Sequence, residues 1–240
     1  MKIAGSVALV TGANRGLGRA LAAHLVERGA SKVYATARTA SSVDLPGVEV
    51  LQLDITDPES VAAAAKVAHD VTLLVNNAGV MTGGGLLDER LELVRQELDV
   101  HFWGNLNMVR AFAPALAANG GGAIVNMLSA LSWFSYPGST GYAVGKSAAW
   151  AMTNSLRIEL AEQGTQVTGV HLGAADTDMM AGYEGPMVSP AQVATTALDG
   201  VEAGLGEVLV DDWTRYVKAS LASDPNEFYT PAFIRGELPA

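Results

Sequence analysis

The chain has 240 residues and a mass of 24.9 kDa, the size of one large domain, long enough to bury roughly 70% of the surface its unfolded form exposes. Apolar residues make up 49% and charged residues only 17% of it, which excludes a disordered chain or a long solvated helix. No cysteine is present, and 25 acidic against 15 basic side chains give a formal charge of −10. That excludes a disulfide scaffold, a thiolate zinc site and a cysteine nucleophile, and argues against nucleic acid or an anionic membrane as partner.

The first apolar run, Ile3 to Val10, follows Met1-Lys2 but ends at Thr11-Gly12 without a small-residue cleavage site, so it reads as a buried strand rather than a leader. Strand-length runs recur at Lys32 to Ala37, Val48 to Leu53, Val71 to Val75, Ala123 to Leu128, Gln166 to Leu172 and Glu207 to Val210. Several lack polar alternation, as strands buried on both faces of a parallel sheet do. Helical patterns lie between them. Leu17, Leu21 and Leu25 repeat every four residues up to Gly29, and further helices are predicted over Pro58 to Ala68, Leu87 to Ala118 with a break at Trp103-Gly104 or Pro114, Tyr142 to Gln163, and Pro190 to Ala203. Alternating strand and helix predict one domain over residues 1–240. Its architecture is a doubly wound, mostly parallel seven-stranded Rossmann-type sheet with helices on both faces, a three-layer α/β/α fold. No run reaches the 18 apolar residues of a spanning helix; a protein without membrane contact, in the cytoplasm, is expected. The segment 222–240, broken by Pro225, Pro231 and Pro239, predicts an irregular tail, expected to pack on a neighbouring subunit.

The turn from the first strand into the first helix reads Thr11-Gly12-Ala13-Asn14-Arg15-Gly16-Leu17-Gly18. Its glycines allow a tight turn and close backbone approach to a pyrophosphate resting on helix N-terminal amides. A site for NAD places an acid at the end of the second strand to bind the ribose 2′-hydroxyl. Here that place holds Ala37 followed by Arg38, with Arg15 in the loop. Two guanidiniums and no acid favour a 2′-phosphate, hence NADP(H).

Tyr142 and Lys146 stand four apart at the start of a helix and share one face. Tyrosine titrates near 10, and proton transfer near pH 7 to 8 needs a shift of roughly 3 to 4 kcal/mol. An ammonium at about 4 Å would supply about that much at an effective dielectric near 20. Ser129, ending the fifth strand at the carboxyl edge of the sheet, is a candidate to hold a substrate oxygen.

Taken together, TGANRGLG, the Asn76-Asn77-Ala78-Gly79 run, and Ser129 thirteen places before Tyr142-Ala143-Val144-Gly145-Lys146 resemble the short-chain dehydrogenases/reductases over residues 3 to 220. The resemblance implies an oxidoreductase in which Tyr142 is the general acid/base, Lys146 lowers its pKa and binds the nicotinamide ribose, and Ser129 holds the carbonyl. It implies further that Gly12, Asn14, Arg15, Gly16, Leu17 and Gly18 meet the pyrophosphate and adenosine, Asp54 and Ile55 the adenine, Asn76, Ala78 and Gly79 the adenosine ribose and sheet edge, and Gly173 and Thr177 the nicotinamide end. A homodimer or homotetramer is the assembly it implies. Two positions depart from the family pattern. His101 stands where asparagine usually kinks a helix and holds a proton-relay water, and histidine titrates near neutrality. Leu172-Gly173 replaces Pro-Gly, an exchange expected to loosen the loop.

The expected activity is hydride transfer between NADP(H) and a small to medium carbonyl or secondary alcohol, with no metal. An acyl-carrier-linked ketoreductase is the alternative among enzymes, less favoured by a charge of −10. A non-catalytic dinucleotide sensor is the alternative outside them, and it has no use for a tuned tyrosine. Trp133, Phe134, Tyr136 and Pro137 are expected to line the substrate path. The segment Asp178 to Ser189, with Met179, Met180, Tyr183 and Met187, reads as a flexible lid.

Overall fold

The computed structural model describes residues 1–88 and 90–234. Seven strands form one sheet: β1 Val7–Val10, β2 Lys32–Ala37, β3 Glu49–Gln52, β4 Leu73–Asn76, β5 Ala123–Met127, β6 Gln166–His171 and β7 Glu207–Leu209. Every pairing is parallel, in the order β3-β2-β1-β4-β5-β6-β7. Such an order needs crossover helices on both faces. On one face lie α1 (Gly16–Glu27) and α6 (Pro190–Glu202), on the other α2 (Pro58–Val67), α4 (Asn105–Ala118) and α5 (Thr140–Glu159).

Side chains alternate across a strand, so β1 sends Ala8 and Val10 to the core under Leu21, Leu25 and Leu198, and Leu9 to the core around Met108, Phe112 and Leu156. Both cores demand apolar residues, which is why the strands show no polar alternation. Glu49, Val50 and Gln52 on the edge strand β3 are the exposed exception.

Two boundaries differ from the sequence reading. Helix α3 (Leu91–Leu98) begins four residues later than expected, and the interruption before α4 is a π-helical turn over Asp99–Gly104. Pro114 sits inside α4 without ending it; the carbonyl one turn earlier belongs to exposed Arg110, where water can reach it.

The tail also differs. After α7 (Asp212–Ser220), the short helices α8 (Pro225–Phe228) and α9 (Pro231–Ile234) fold back on their own chain, and Phe233 is buried against Phe134 and Tyr136. The aromatics of the tail thus pack into a cluster with Ala130, Phe134 and Val217 of the same chain. The end of the tail, 235–240, lies outside the described residues.

Candidate active site

At the carboxyl edge of the sheet, β1 lies between β2 and β4, and the connections leave in opposite directions. A crevice opens at such a point. It continues into one cleft of about 1690 Å³, larger than a single drug-sized ligand requires.

The glycine loop forms its floor. Gly12 and Gly16 take positive φ of 65° and 53°, a region open to glycine at little cost. At Gly18 a Cβ would stand 2.1 Å from the Gly12 carbonyl oxygen and 2.5 Å from the Asn77 amide nitrogen. Helix α1 therefore packs on the turn at a distance that only glycine permits. Its N-terminal residue Arg15 makes no side-chain cap, whereas Asp57, Ser189 and Asp211 cap α2, α6 and α7. Uncapped amides beside a cradle without side chains suit a pyrophosphate. Asn14 and Leu17 also line the cleft here.

Beyond the loop, Ala37 and exposed Arg38 border the cleft at the end of β2, with Asp54 and Ile55 beside them. Asp54 accepts bonds from the Thr56 amide (2.9 Å) and hydroxyl (2.7 Å). Arg15 reaches Asp178 at 3.1 Å, so a bridge of two exposed side chains links the loop to the segment after β6. Thr177 closes the same junction: its methyl would stand 3.2 Å from a Cβ at Gly16. The adenosine expectation is corrected at Asn76. Its side chain is buried in the sheet and donates to Asn126 at 2.9 Å, away from the cleft. Strand alternation instead places Asn77 at the edge, where its amide donates to the Thr11 and Gly12 carbonyls at 2.9 and 3.3 Å. Ala78 and Gly79 line the cleft.

Ser129, Tyr142, Lys146 and His101 converge further along. Ser129 caps the turn after β5: its hydroxyl accepts from the Leu131 amide at 3.1 Å and donates to the Leu172 carbonyl at 3.4 Å. The Tyr142 hydroxyl is hydrogen-bonded to Ser129. Lys146 is buried, donates to the Met127 carbonyl at 2.8 Å and holds its ammonium 5.5 Å from the Tyr142 ring. Burial lowers the Lys146 pKa to about 8, with the Glu97 carboxylate opposing the fall. Burial, reinforced by Glu97, raises Tyr142 above its ordinary value, and the Ser129 bond offsets only part of that.

His101 sits in the π-helical turn, buried, edge-on to the Tyr142 ring at 5.1 Å. Burial first, then the Lys146 charge, hold the pKa of the imidazole below its usual value. The loop expectation at Leu172-Gly173 is corrected too. The Gly173 amide donates to Asp211 at 2.7 Å, the Leu172 carbonyl accepts from the Ala130 amide at 2.8 Å, and Leu172 is buried, so the loop is tied down without proline.

These features now have a counterpart among known proteins. The sequence profile described as short chain dehydrogenase matches residues 6–185. The chain belongs to that family. A short chain dehydrogenase from Burkholderia cenocepacia, solved in complex with NADP, is 38% identical, with a TM-score of 0.92 and 100% of both chains covered. The oxidoreductase SadH of Mycobacterium tuberculosis is 32% identical over 237 residues, covering 86% of each chain. An NADPH-dependent 1-acyldihydroxyacetone phosphate reductase of Schizosaccharomyces pombe is 34% identical over 192 residues, covering 76% of this chain and 64% of its own.

In this short-chain dehydrogenase the open end of the cleft is aromatic. Trp103, Phe134 and Tyr136 line it, joined by Trp213 and Tyr216 from α7 and by Met179, Met180 and Met187. The two α7 aromatics escaped the sequence reading; Trp213 enters because Asp211 both caps α7 and holds Gly173, which brings the ring against that glycine. Glu97 was also missed. Its spacing of four from His101 on a helical segment was the available signal. Of the remaining histidines, His171 ends β6, is buried and stacked on Trp133 at 3.9 Å, and its Nδ1 bonds the Ser129 carbonyl at 3.1 Å. Burial pushes its pKa down to about 4. No group of potential metal ligands occurs among the described residues.

Proposed function

We propose that this short-chain dehydrogenase is an NADP(H)-dependent reductase of uncharged, apolar or aromatic carbonyl compounds. The observation carrying this reading is one cleft that joins the glycine cradle to the hydrogen-bonded Ser129 and Tyr142 and the buried Lys146. The amides of Gly12 to Gly18 hold the pyrophosphate, Arg38 and Arg15 meet the 2′-phosphate where an acid is missing, Asp54 and Ile55 flank the adenine, and Thr177 and Gly173 border the nicotinamide end. The NADP complex of the B. cenocepacia relative supports the choice of cofactor. When bound, the cofactor supplies the hydride.

The chain's own residues handle the oxygen and its proton. Ser129 holds the carbonyl oxygen, and Tyr142 gives that oxygen its phenolic proton as charge develops. Burial favours the protonated form of Tyr142, which is the state a proton donor needs. Lys146, fixed by the Met127 carbonyl, stabilises the phenolate left behind.

Charge selects the substrate. Asp99, Asp211 and Asp212 line the same cleft as these aromatics, and the described cations that line it, Arg15, Arg38 and Lys146, belong to the cofactor and proton sites. Anionic carbonyls, whether phosphorylated or carried on an acidic acyl carrier, are repelled. A homodimer or homotetramer in the cytoplasm completes the proposal; Ile158, 79% exposed on α5, is a large apolar side chain that such a contact would cover.

The test follows NADPH absorbance against aldehydes, aryl ketones and diketones beside their carboxylated analogues. Tyr142→Phe should keep NADPH binding and lose turnover by roughly 10²- to 10⁴-fold. Retention of a tenth of wild-type kcat would sink the role of Tyr142. A protein that binds NADPH and leaves the whole panel untouched is a sensor instead.

A further inference from the structure

The parallel register of β6 and β7 sets His171 beside Leu209, so two residues further along both chains Gly173 comes beside Asp211. There one carboxylate holds two elements. Its Oδ2 accepts from the Gly173 amide at 2.7 Å, and its Oδ1 accepts from the Thr214 amide and hydroxyl, each at 2.7 Å. Short bonds to a carboxylate are of the strong, charge-assisted kind. The loop after β6 and the start of α7 therefore meet at a fixed distance, and Trp213 stands between them. A Cβ on Gly173 would lie 3.1 Å from Trp213 Cδ1, so the indole rests directly against the glycine.

Trp213 is half-buried, stacks on Tyr216 at 5.5 Å and stands nearly perpendicular to Phe134 at 5.7 Å. All three rings line the cleft, as Gly173 does. Met179, Met180 and Met187 line it too, but their unbranched chains adapt to many shapes and distinguish poorly between a flat ring and a puckered one. Rigid aromatic faces do distinguish them, because stacking adds to simple burial only where the ligand is itself aromatic. The choice of ligand shape therefore falls to the rings, and among them Trp213 is the one tied to the cofactor loop.

We propose that Trp213 is the specificity-determining residue that gives this site a preference for aryl carbonyl compounds over saturated ones of equal size, and that Asp211 is the positioning residue that sets the indole beside Gly173. The inference rests on the reductase reading, in which Gly173 borders the nicotinamide end and the substrate carbonyl meets Ser129 and Tyr142. Its first test needs no turnover.

Ligand-observed NMR titrations of acetophenone and cyclohexyl methyl ketone on the NADP⁺-loaded protein give two Kd values for ketones that differ in whether the ring is flat and aromatic. Trp213→Leu should remove about 2- to 12-fold of the preference for acetophenone, the share that stacking adds. A Kd ratio unchanged by Trp213→Leu overturns the proposal. Asp211→Ser separates the two tasks of the carboxylate. Serine caps a helix about as well as aspartate does, so α7 keeps its start, but a single oxygen cannot serve Gly173 as well. The ratio should fall as it does in Trp213→Leu, and the double variant should fall no further. A wild-type ratio in Asp211→Ser, or a double variant whose loss is the sum of the two, overturns the positioning role. Should Asp211→Ser fail to fold, Gly173→Ala presses on the same indole from the loop side and should lower the ratio too; a wild-type ratio there overturns the proposal equally. In turnover, Trp213→Leu should raise KM for acetophenone more than KM for cyclohexyl methyl ketone, and equal rises would count against it. A protein that shows the expected Kd ratios yet reduces neither ketone supports this inference and refutes the reductase reading.

Discussion

Gly18→Ala tests the cofactor cradle most directly. The added methyl would lie 2.1 Å from the Gly12 carbonyl oxygen, 2.8 Å from its carbon and 2.5 Å from the Asn77 amide nitrogen, where ordinary contact begins at 3.4 Å. None of these atoms is the end of a flexible chain: two are backbone, and the Asn77 amide is held by the Thr11 and Gly12 carbonyls. Helix α1 must move off the turn by about an ångström or more, and overpacking of this kind costs about 1–3 kcal/mol. For a chain of this length that corresponds to a melting temperature lower by roughly 2 to 12 °C. The amides that receive the pyrophosphate move with the helix, so the Kd for NADPH should rise about tenfold or more. Gly5→Ala is the control. Gly5 also has positive φ, 79°, but a Cβ there meets nothing within 4 Å, so it should cost about 1 kcal/mol and leave NADPH binding alone. Thermal melts and NADPH fluorescence titrations on both variants separate the effects. A Gly18→Ala protein with wild-type Kd would refute the close-packing argument.

Ala37→Asp combined with Arg38→Leu should invert the preference between NADPH and NADH in kcat/KM, because a carboxylate then stands where the 2′-phosphate is met; equal use of both cofactors by the unchanged protein would refute the reading of Arg15 and Arg38. Asp178→Asn should free Arg15 from its exposed partner and lower the Kd for NADPH by no more than about fivefold, since exposed pairs contribute under about 1 kcal/mol, with an unchanged melting temperature; a weaker Kd would show that the bridge helps binding. Lys146 has a folded pKa of about 8 against an ordinary 10.5, so between those values the folded state holds fewer protons than the unfolded one and stability should rise with pH, by up to about 1.4 kcal/mol per unit. Urea melts should therefore show wild type gaining on Lys146→Met from pH 8 to 10, and parallel curves would refute the buried ammonium. Phe233→Ala should destabilise by about 3 kcal/mol and raise KM for bulky aryl ketones, because the ring backs Phe134 and Tyr136 at the cleft; an unchanged melt would show that the tail is not packed there.

The order of elements, the glycine loop and the Ser129, Tyr142 and Lys146 set were legible in the sequence because each rests on a local rule. Apolar runs buried on both faces mark parallel strands, a strand running into Gly-rich turn and helix marks a phosphate site, and a spacing of four places two side chains on one helical face. Alternation along β4 even distinguishes Asn76 from Asn77, but which of the two faces the cleft depends on where the sheet edge falls. That was decided in three dimensions. So were the ionisation states, because burial is a property of everything packed around a group: the lysine that should lower its tyrosine is itself lowered, and Glu97 pushes the tyrosine the other way. Trp213 joins Phe134 across 79 residues of sequence, and Phe233 returns to the same cluster from the tail. No periodicity records such meetings, since they follow from crossover topology and chain reversal rather than from neighbours along the chain.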